Sequence, residues 1–336
     1  MPCPVPWVRQ MRRREFIAAL GNAAAWPLFA RAQQQAVPVI GLLSGGFQEA
    51  AAPVVAAIKQ GLLDAGYVEG KNVAIEYRWA NAQYDQLPTL AADLVRQRVS
   101  VIIAETPVAA LAAKHATTSI PIVFSLGSDP VRDGLVASLN RPGGNITGAT
   151  FLSNLLSAKR LDLFQRFVPD AKVIAVLLNP KNANVELETR DTQEAAGPLG
   201  LQLVLLRAGD EREIDEAVAS SVQQHVDALV ISGDATFYGR RQQIAELAIR
   251  YKLPTCCPYH DQAAAGCLMT YGGASISDTQ RQAGKYAGRI LKGERSADLP
   301  VLQPTKFELA INRKTAKGLG LTIPPSLLAT ADEIID

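Results

Sequence analysis

The chain predicts an α/β protein of two similar lobes, each built on a parallel sheet covered by helices. Short apolar runs alternate with amphipathic stretches from Val37 almost to the C-terminus, which is the rhythm of β-α-β units. The rhythm restarts in the second half of the chain without detectable sequence repetition. Between the halves, Leu139-Asn140-Arg141-Pro142-Gly143-Gly144-Asn145-Ile146-Thr147-Gly148 concentrates proline and glycine and marks a boundary.

Val37 to Leu43 (VPVIGLL) reads as a buried strand, and Pro53 to Ala65 as a helix with apolar residues at i, i+3 and i+4, stopped by Gly66. Val73 to Trp79 is a strand, and Pro88 opens a helix to Gln97 at its first turn. Val101 to Ala104 (strand), Val108 to Thr117 (helix) and Ile122 to Ser125 (strand) complete the first series. The second series has strands at Val173 to Leu178, Gln202 to Leu206, Ala228 to Ile231 and Pro254 to Cys257. Its helices are Val185 to Ala196, Ile214 to Gln224 and Arg241 to Tyr251. A helix from Ser277 to Leu291 then leads to an extended crossing segment at Pro300 to Gln303, a strand at Lys306 to Ile311 and a helix at Lys314 to Gly318.

The N-terminus reads as a leader. Arg13-Arg14-Glu15-Phe16-Ile17 begins an uncharged run to Phe29 that ends at Ala30-Arg31-Ala32. This is a basic n-region, an apolar stretch shorter than the ~20 residues a bilayer needs, and an Ala-x-Ala cleavage site. Residues 1–32 are therefore expected to be a twin-arginine-type signal peptide, with Gln33 the first mature residue. Met11, just before the arginines, competes with Met1 as the start. The leader holds Arg9, Arg12, Arg13, Arg14 and Arg31 against Glu15, so its removal takes the formal charge from +2 to about −2. No later Lys/Arg run suggests nucleic acid, and no later segment suggests a membrane span. Cys256, Cys257 and Cys267 remain outside the leader. Either Cys267 pairs with one of the vicinal cysteines or all three stay thiols; with His260 they lack the ligand spacing of a zinc site.

The leader RRREFIAAL, then VPVIGLLSGG, AGYVEGKNVAIEYRWA, SLNRPGGNITGATFL and the ending PTKFELAINRKTAKGLGLTIPPSLLATADEII together resemble the bacterial ABC-transporter substrate-binding proteins. The resemblance is closest to the family that includes tryptophan/tyrosine-type binding proteins, and it covers essentially the whole mature chain. It implies a periplasmic-binding-protein type I fold, with two Rossmann-like lobes joined by a multi-strand hinge that close on a small molecule. Lobe 1 would take residues 37–149 plus 276–303, and lobe 2 residues 150–275 plus 304–336. The expected role is the periplasmic binding component of an importer. It would be a monomer without cofactor, delivering its ligand to a permease with its ATPase.

Ligands of open parallel sheets sit at the carboxyl ends of the strands, so the residues there are the candidates. Ser44-Gly45 offers a hydroxyl and close backbone approach, or simply a turn; it lacks the glycines of a dinucleotide loop and any phosphate cradle. Thr106 stands as N-cap and Pro107 as N1, so the N–H groups of Val108 and Ala109 make a carboxylate site or an ordinary capped helix. Ser125 and Gly127 follow the fourth strand. In the second half, Asn179 and Asn182 follow a strand, one amide facing the cleft while Asn182 or Asn184 caps a helix. Asp234 beside Phe237 and Tyr238 suits an ammonium and an aromatic or apolar body, unless Asp234 is a helix cap. Tyr259 and Tyr271 complete the rim; the resemblance implies a bulky aromatic near Tyr259, while Cys256-Cys257 departs from the family pattern. No catalytic motif is present, and His115, His225 and His260 are scattered. An exported α/β enzyme and a periplasmic ligand sensor are the competing readings.

Overall fold

A computed structural model describes residues 37–273 and 275–336. The expected leader, its cleavage site and the choice of start lie outside the described residues. The first sheet takes β1 (Val39–Ser44), α1 (Ala52–Asp64), β2 (Ala74–Trp79), α2 (Leu87–Arg96), β3 (Val101–Glu105), α3 (Pro107–Ala116), β4 (Ile122–Leu126) and β5 (Ile146–Thr150). Its order is β2-β1-β3-β4-β5, all parallel. Every residue of β4 and β5 is buried, as expected for strands covered on both faces.

The chain then forms α4 (Ser157–Phe167), β6 (Val173–Leu178), α5 (Val185–Ala196), β7 (Gln202–Arg207), α6 (Glu211–Gln223), β8 (Ala228–Ile231), α7 (Ala235–Gly239), α8 (Arg241–Arg250), β9 (Thr255–Cys257), α9 (Asp261–Ala264) and β10 (Met269–Gly273). After these come α10 (Ile276–Leu291), β11 (Phe307–Asn312), α11 (Arg313–Gly318), α12 (Pro325–Thr330) and β12 (Glu333–Ile335). The second sheet runs β12-β11-β10-β9-β8-β6-β7, parallel except where β11 meets β10. This is an α/β protein of two lobes. The proline- and glycine-rich boundary stretch ends inside β5: Gly148 and two threonines disguise an edge strand.

Each sheet has an apolar core on both faces. Ile102, Phe124 and Leu94 anchor one side of the first sheet, and Ile40, Ile58 and Tyr286 the other. In the second sheet the faces centre on Phe164, Leu268 and Ile311, and on Ile231, Phe237 and Leu247. Strand alternation settles the cysteines. Cys256 points into the first of these faces and remains a buried thiol, whereas Cys257 points into the second, where it is bonded to Cys267.

The chain passes between the sheets three times: after β5, between β10 and α10, and before β11. Ala149 bridges Leu302 in parallel, and the two stretches exchange backbone hydrogen bonds of 2.9 and 3.0 Å. The three crossings converge at Gly273, where a Cβ would lie 2.3 Å from the Phe151 carbonyl oxygen and 3.1 Å from Pro304 Cγ. By the second crossing α10 returns to the first sheet and packs against α1. A Cβ on Gly61 would meet the Arg281 carbonyl oxygen at 2.0 Å, and one on Gly284 the Ile58 carbonyl oxygen at 2.2 Å. These two glycines let the helix backbones touch.

Candidate functional site

A cavity lies between the carboxyl ends of the two sheets. The first lobe contributes Ser44 from β1, Trp79 from β2, Glu105 from β3, Thr106 to Val108 at the start of α3, and Ser125 to Ser128 from the end of β4. Phe47, Val54 and Tyr84 come from the loops and helix around β1 and β2, and Gln280 from α10. The second lobe contributes Asn182, Asp234, Tyr238 and Tyr259, and Phe151 lies on the first crossing.

Of the residues singled out from sequence, Ser44, Thr106, Pro107, Val108, Ser125, Gly127, Asn182, Asp234, Tyr238 and Tyr259 meet here. Gly45 packs beside Thr106 Oγ1 and the Tyr84 ring, one layer behind the wall. Ala109 and Phe237 are fully buried in the cores of their lobes, because the helix turn that aims Val108 or Tyr238 at the cleft aims its neighbour inward. Asn179 is buried behind Asp234, to which it donates. Tyr271, in the middle of β10, lies against the second-lobe core and a groove with Leu163 and Phe307. Phe47, Trp79, Tyr84, Glu105, Phe151 and Gln280 were not singled out. Trp79 and Glu105 end their strands and were accessible to the strand-end rule; Gln280 carries no local signal.

The two lobes are drawn together across the cavity. The Tyr84 phenol donates to both oxygens of Asp234, at 3.3 and 3.2 Å. The Arg240 guanidinium stands 4.7 Å from the centre of the Phe47 ring and 3.6 Å from Glu49. At the other side of the cleft Arg132 reaches Asp191 at 3.5 Å. Asp234 is also the N-cap of α7, accepting from Thr236 N at 2.8 Å, and it receives the Asn179 and Asn182 amides at 2.9 Å each. Burial pushes its carboxyl up from the ordinary range, and these donors pull it back. Behind it, Gly233 N donates to Glu188, whose carboxylate lies 3.8 Å from the buried Arg160.

The first-lobe wall is less complete. Thr106 holds a left-handed backbone (φ 95°) that is unusual for a residue with a β-branched side chain, and its hydroxyl accepts from Ala109 N at 3.4 Å. Pro107 has no N–H, and the Val108 N–H in the first turn has no intrahelical acceptor. Ser125 is 2 % exposed and its hydroxyl has no hydrogen-bond partner. Glu105 accepts from Gln280 at 2.5 Å and from the Ser44 hydroxyl; enclosure in the closed cleft pushes its carboxyl up to about 7. Among the described residues no lysine, arginine or histidine lines the cavity.

Aromatic rings form the remaining wall. Tyr259 meets Phe151 and Tyr238 edge-on, with centroids 5.7 and 5.5 Å apart. Burial pushes the phenols of Tyr84, Tyr238 and Tyr259 upward, so each stays protonated. Such a cavity, mostly apolar with a few convergent polar groups, is built to hold a small molecule.

The family described as ABC transporter substrate binding protein matches residues 36–335 of this sequence. The chain belongs to this family. A curated member, the tyrosine-binding protein of Clostridioides difficile, is 30% identical over 263 residues, which is 77% of this chain and 74% of the relative. Among solved structures, a conserved domain protein from Vibrio cholerae superposes with a TM-score of 0.81 at 26% identity, covering 89% of this chain and 100% of that one. The same coverage and a TM-score of 0.79 at 24% identity are found with an ABC domain from Streptococcus pneumonia in complex with L-Trp. Against the ligand-free, open structure of a substrate binding protein from Clostridium difficile the TM-score falls to 0.61, at 25% identity over 89% of this chain and 99% of that one. The substrate-binding protein described here has its lobes pressed together. Among its described residues no helix is long and apolar enough to cross a membrane, and no group of His, Cys, Asp and Glu is arranged to hold a metal.

Proposed function

We propose that this protein is the exported, periplasmic binding component of an ABC importer, monomeric and free of cofactor. It closes two lobes over a small carboxylate-bearing ligand with an aromatic body, in the first place tyrosine or tryptophan, and presents the closed form to a permease with its ATPase. The lobes would divide at the three crossings, close to residues 150, 275 and 303. The observation that carries this reading is the cavity between the lobes. The start of α3 and the unpartnered Ser125 hydroxyl offer donors on one wall, and Tyr238, Tyr259, Trp79 and Phe151 frame the rest. A helix N-terminus and a hydroxyl together suit a carboxylate. The tyrosine-binding relative supports the ligand class.

Isothermal titration of the chain from Gln33, refolded free of co-purified ligand, against tyrosine, tryptophan, leucine, benzoate and glucose tests it. Saturable binding of the aromatic amino acids, with at least tenfold weaker binding of leucine, is the expected result. Tight binding of glucose with none of the carboxylates would overturn the proposed ligand.

A further inference from the structure

We propose that Glu105 is the counter-charge for a ligand ammonium group, so that the cavity selects α-amino acids over carboxylic acids with the same aromatic body. This rests on the reading of the cavity as a carboxylate site. Glu105 ends β3 between Ser44 of β1 and Ser125 of β4, its register partners on either side. Register partners project to the same face about 5 Å apart. The acceptor Glu105 therefore stands beside the unpartnered donor Ser125 and directly before the α3 N-terminus. Ammonium and carboxylate of an α-amino acid are joined through one carbon, and this stretch presents an acceptor, Glu105, next to two donors, the Ser125 hydroxyl and the α3 N-terminus.

The two acids of the cavity are not equivalent. Asp234 accepts from four groups, namely Asn179, Asn182, Thr236 N and Tyr84, which fills the capacity of a carboxylate. Glu105 accepts from two neutral groups, Gln280 and Ser44, and retains room for more. An enclosed carboxylate without a cation is costly, and none of the described residues lining the cavity carries a positive charge. A ligand ammonium supplies the missing charge. The other titratable groups of the cavity are Asp234 and the phenols of Tyr84, Tyr238 and Tyr259, of which the phenols stay neutral. Proton uptake by Glu105 and by Asp234 are thus the two sources of acid sensitivity, and only the first is removed by Glu105→Gln.

The test is titration calorimetry of wild type, Glu105→Gln and Asp234→Asn with tyrosine and 3-(4-hydroxyphenyl)propanoate at pH 6 and 8. For wild type, tyrosine is expected to bind at least 50-fold more tightly than its deamino analogue at pH 8. That preference should shrink at pH 6, where ammonium binding must displace a proton. In Glu105→Gln the preference should fall below about threefold at both pH values while the analogue's own Kd changes little. Asp234→Asn should weaken both ligands together and keep the preference. An undiminished preference in Glu105→Gln, or a wild type that binds both compounds equally, overturns the assignment to Glu105 while leaving the carboxylate site standing. Failure of wild type to bind either compound overturns the ligand class, and this inference with it. Unfolding midpoints of each variant separate lost binding from lost structure.

Discussion

Thr106 combines two demands that one residue rarely meets. Its backbone sits where glycine is favoured, while its hydroxyl caps α3. Thr106→Ala keeps the backbone cost and loses the cap, so it should lower stability by about 1 kcal/mol in urea titration and weaken carboxylate ligands. Thr106→Gly, which relieves the backbone, should fall closer to wild type in stability. Glu105 poses the complementary case. Its folded carboxyl is held up at about 7 against an ordinary 4.5, so the folded state binds its proton more tightly than the unfolded state does. Stability associated with that proton is complete below about pH 4.5 and is lost as pH rises through about 7. Ligand-free Glu105→Gln should therefore melt above wild type at pH 8, with the difference gone at pH 4.5. A lower melting point for the variant at pH 8 would contradict the strain assigned to this side chain.

At the scale of elements, α1 and α10 cross through Gly61 and Gly284, whose Cα hydrogens face carbonyl oxygens of the opposite helix. Gly284→Ala would drive a methyl group into backbone that cannot rotate away. A loss of about 3 kcal/mol or more is expected, read as a lower urea midpoint with an unchanged slope. The β-α-β repeats were legible because their strands are continuous apolar runs and their helices are amphipathic: the strands Val173–Leu178 and Ala228–Ile231 and the helix Val185–Ala196 stand where periodicity puts them. The strands β5 (ITGAT) and β10 (MTYGG) escaped, since glycine and threonine replace the apolar side chains that periodicity detects, and their burial comes from neighbours distant in sequence. α4, with Lys159 and Arg160 in its first turn, carried too little apolar periodicity to stand out. The cavity was legible to the same depth. Strand ends led to Ser44, Thr106, Ser125 and Asp234, but which face of a helix or loop turns inward depends on packing, and so Phe237 went to the core and Tyr238 to the cavity. Tyr84 is placed there by the loop after β2 packing on the first-lobe core, and Gln280 by the return of α10, neither of which has a local signature.

For the molecule as a whole, closure has an identifiable polar latch. Tyr84→Phe keeps the ring against the cavity and deletes the phenol that ties the first lobe to Asp234. A hydrogen bond to a charged group is worth about 1.5–3 kcal/mol, so ligand affinity should fall about tenfold or more. Small-angle scattering of the ligand-free variant should show a larger radius of gyration than wild type. The solvent-exposed pair Arg132–Asp191 should contribute far less, and its removal should leave the affinity within threefold.

The return of α10 to the first sheet also sets the order in which the chain can mature on the ribosome. The β1 to β5 sheet is synthesised early, yet Ile58 and Leu62 on α1 remain uncovered until Ala283, Tyr286 and Ala287 emerge, more than two hundred residues later. Most of the second sheet, β6 to β10, is also synthesised before α10, while its strands β11 and β12 follow that helix. A nascent chain arrested near residue 270 would thus display an unfinished apolar face, a natural foothold for chaperones that hold a precursor until its last fifth arrives.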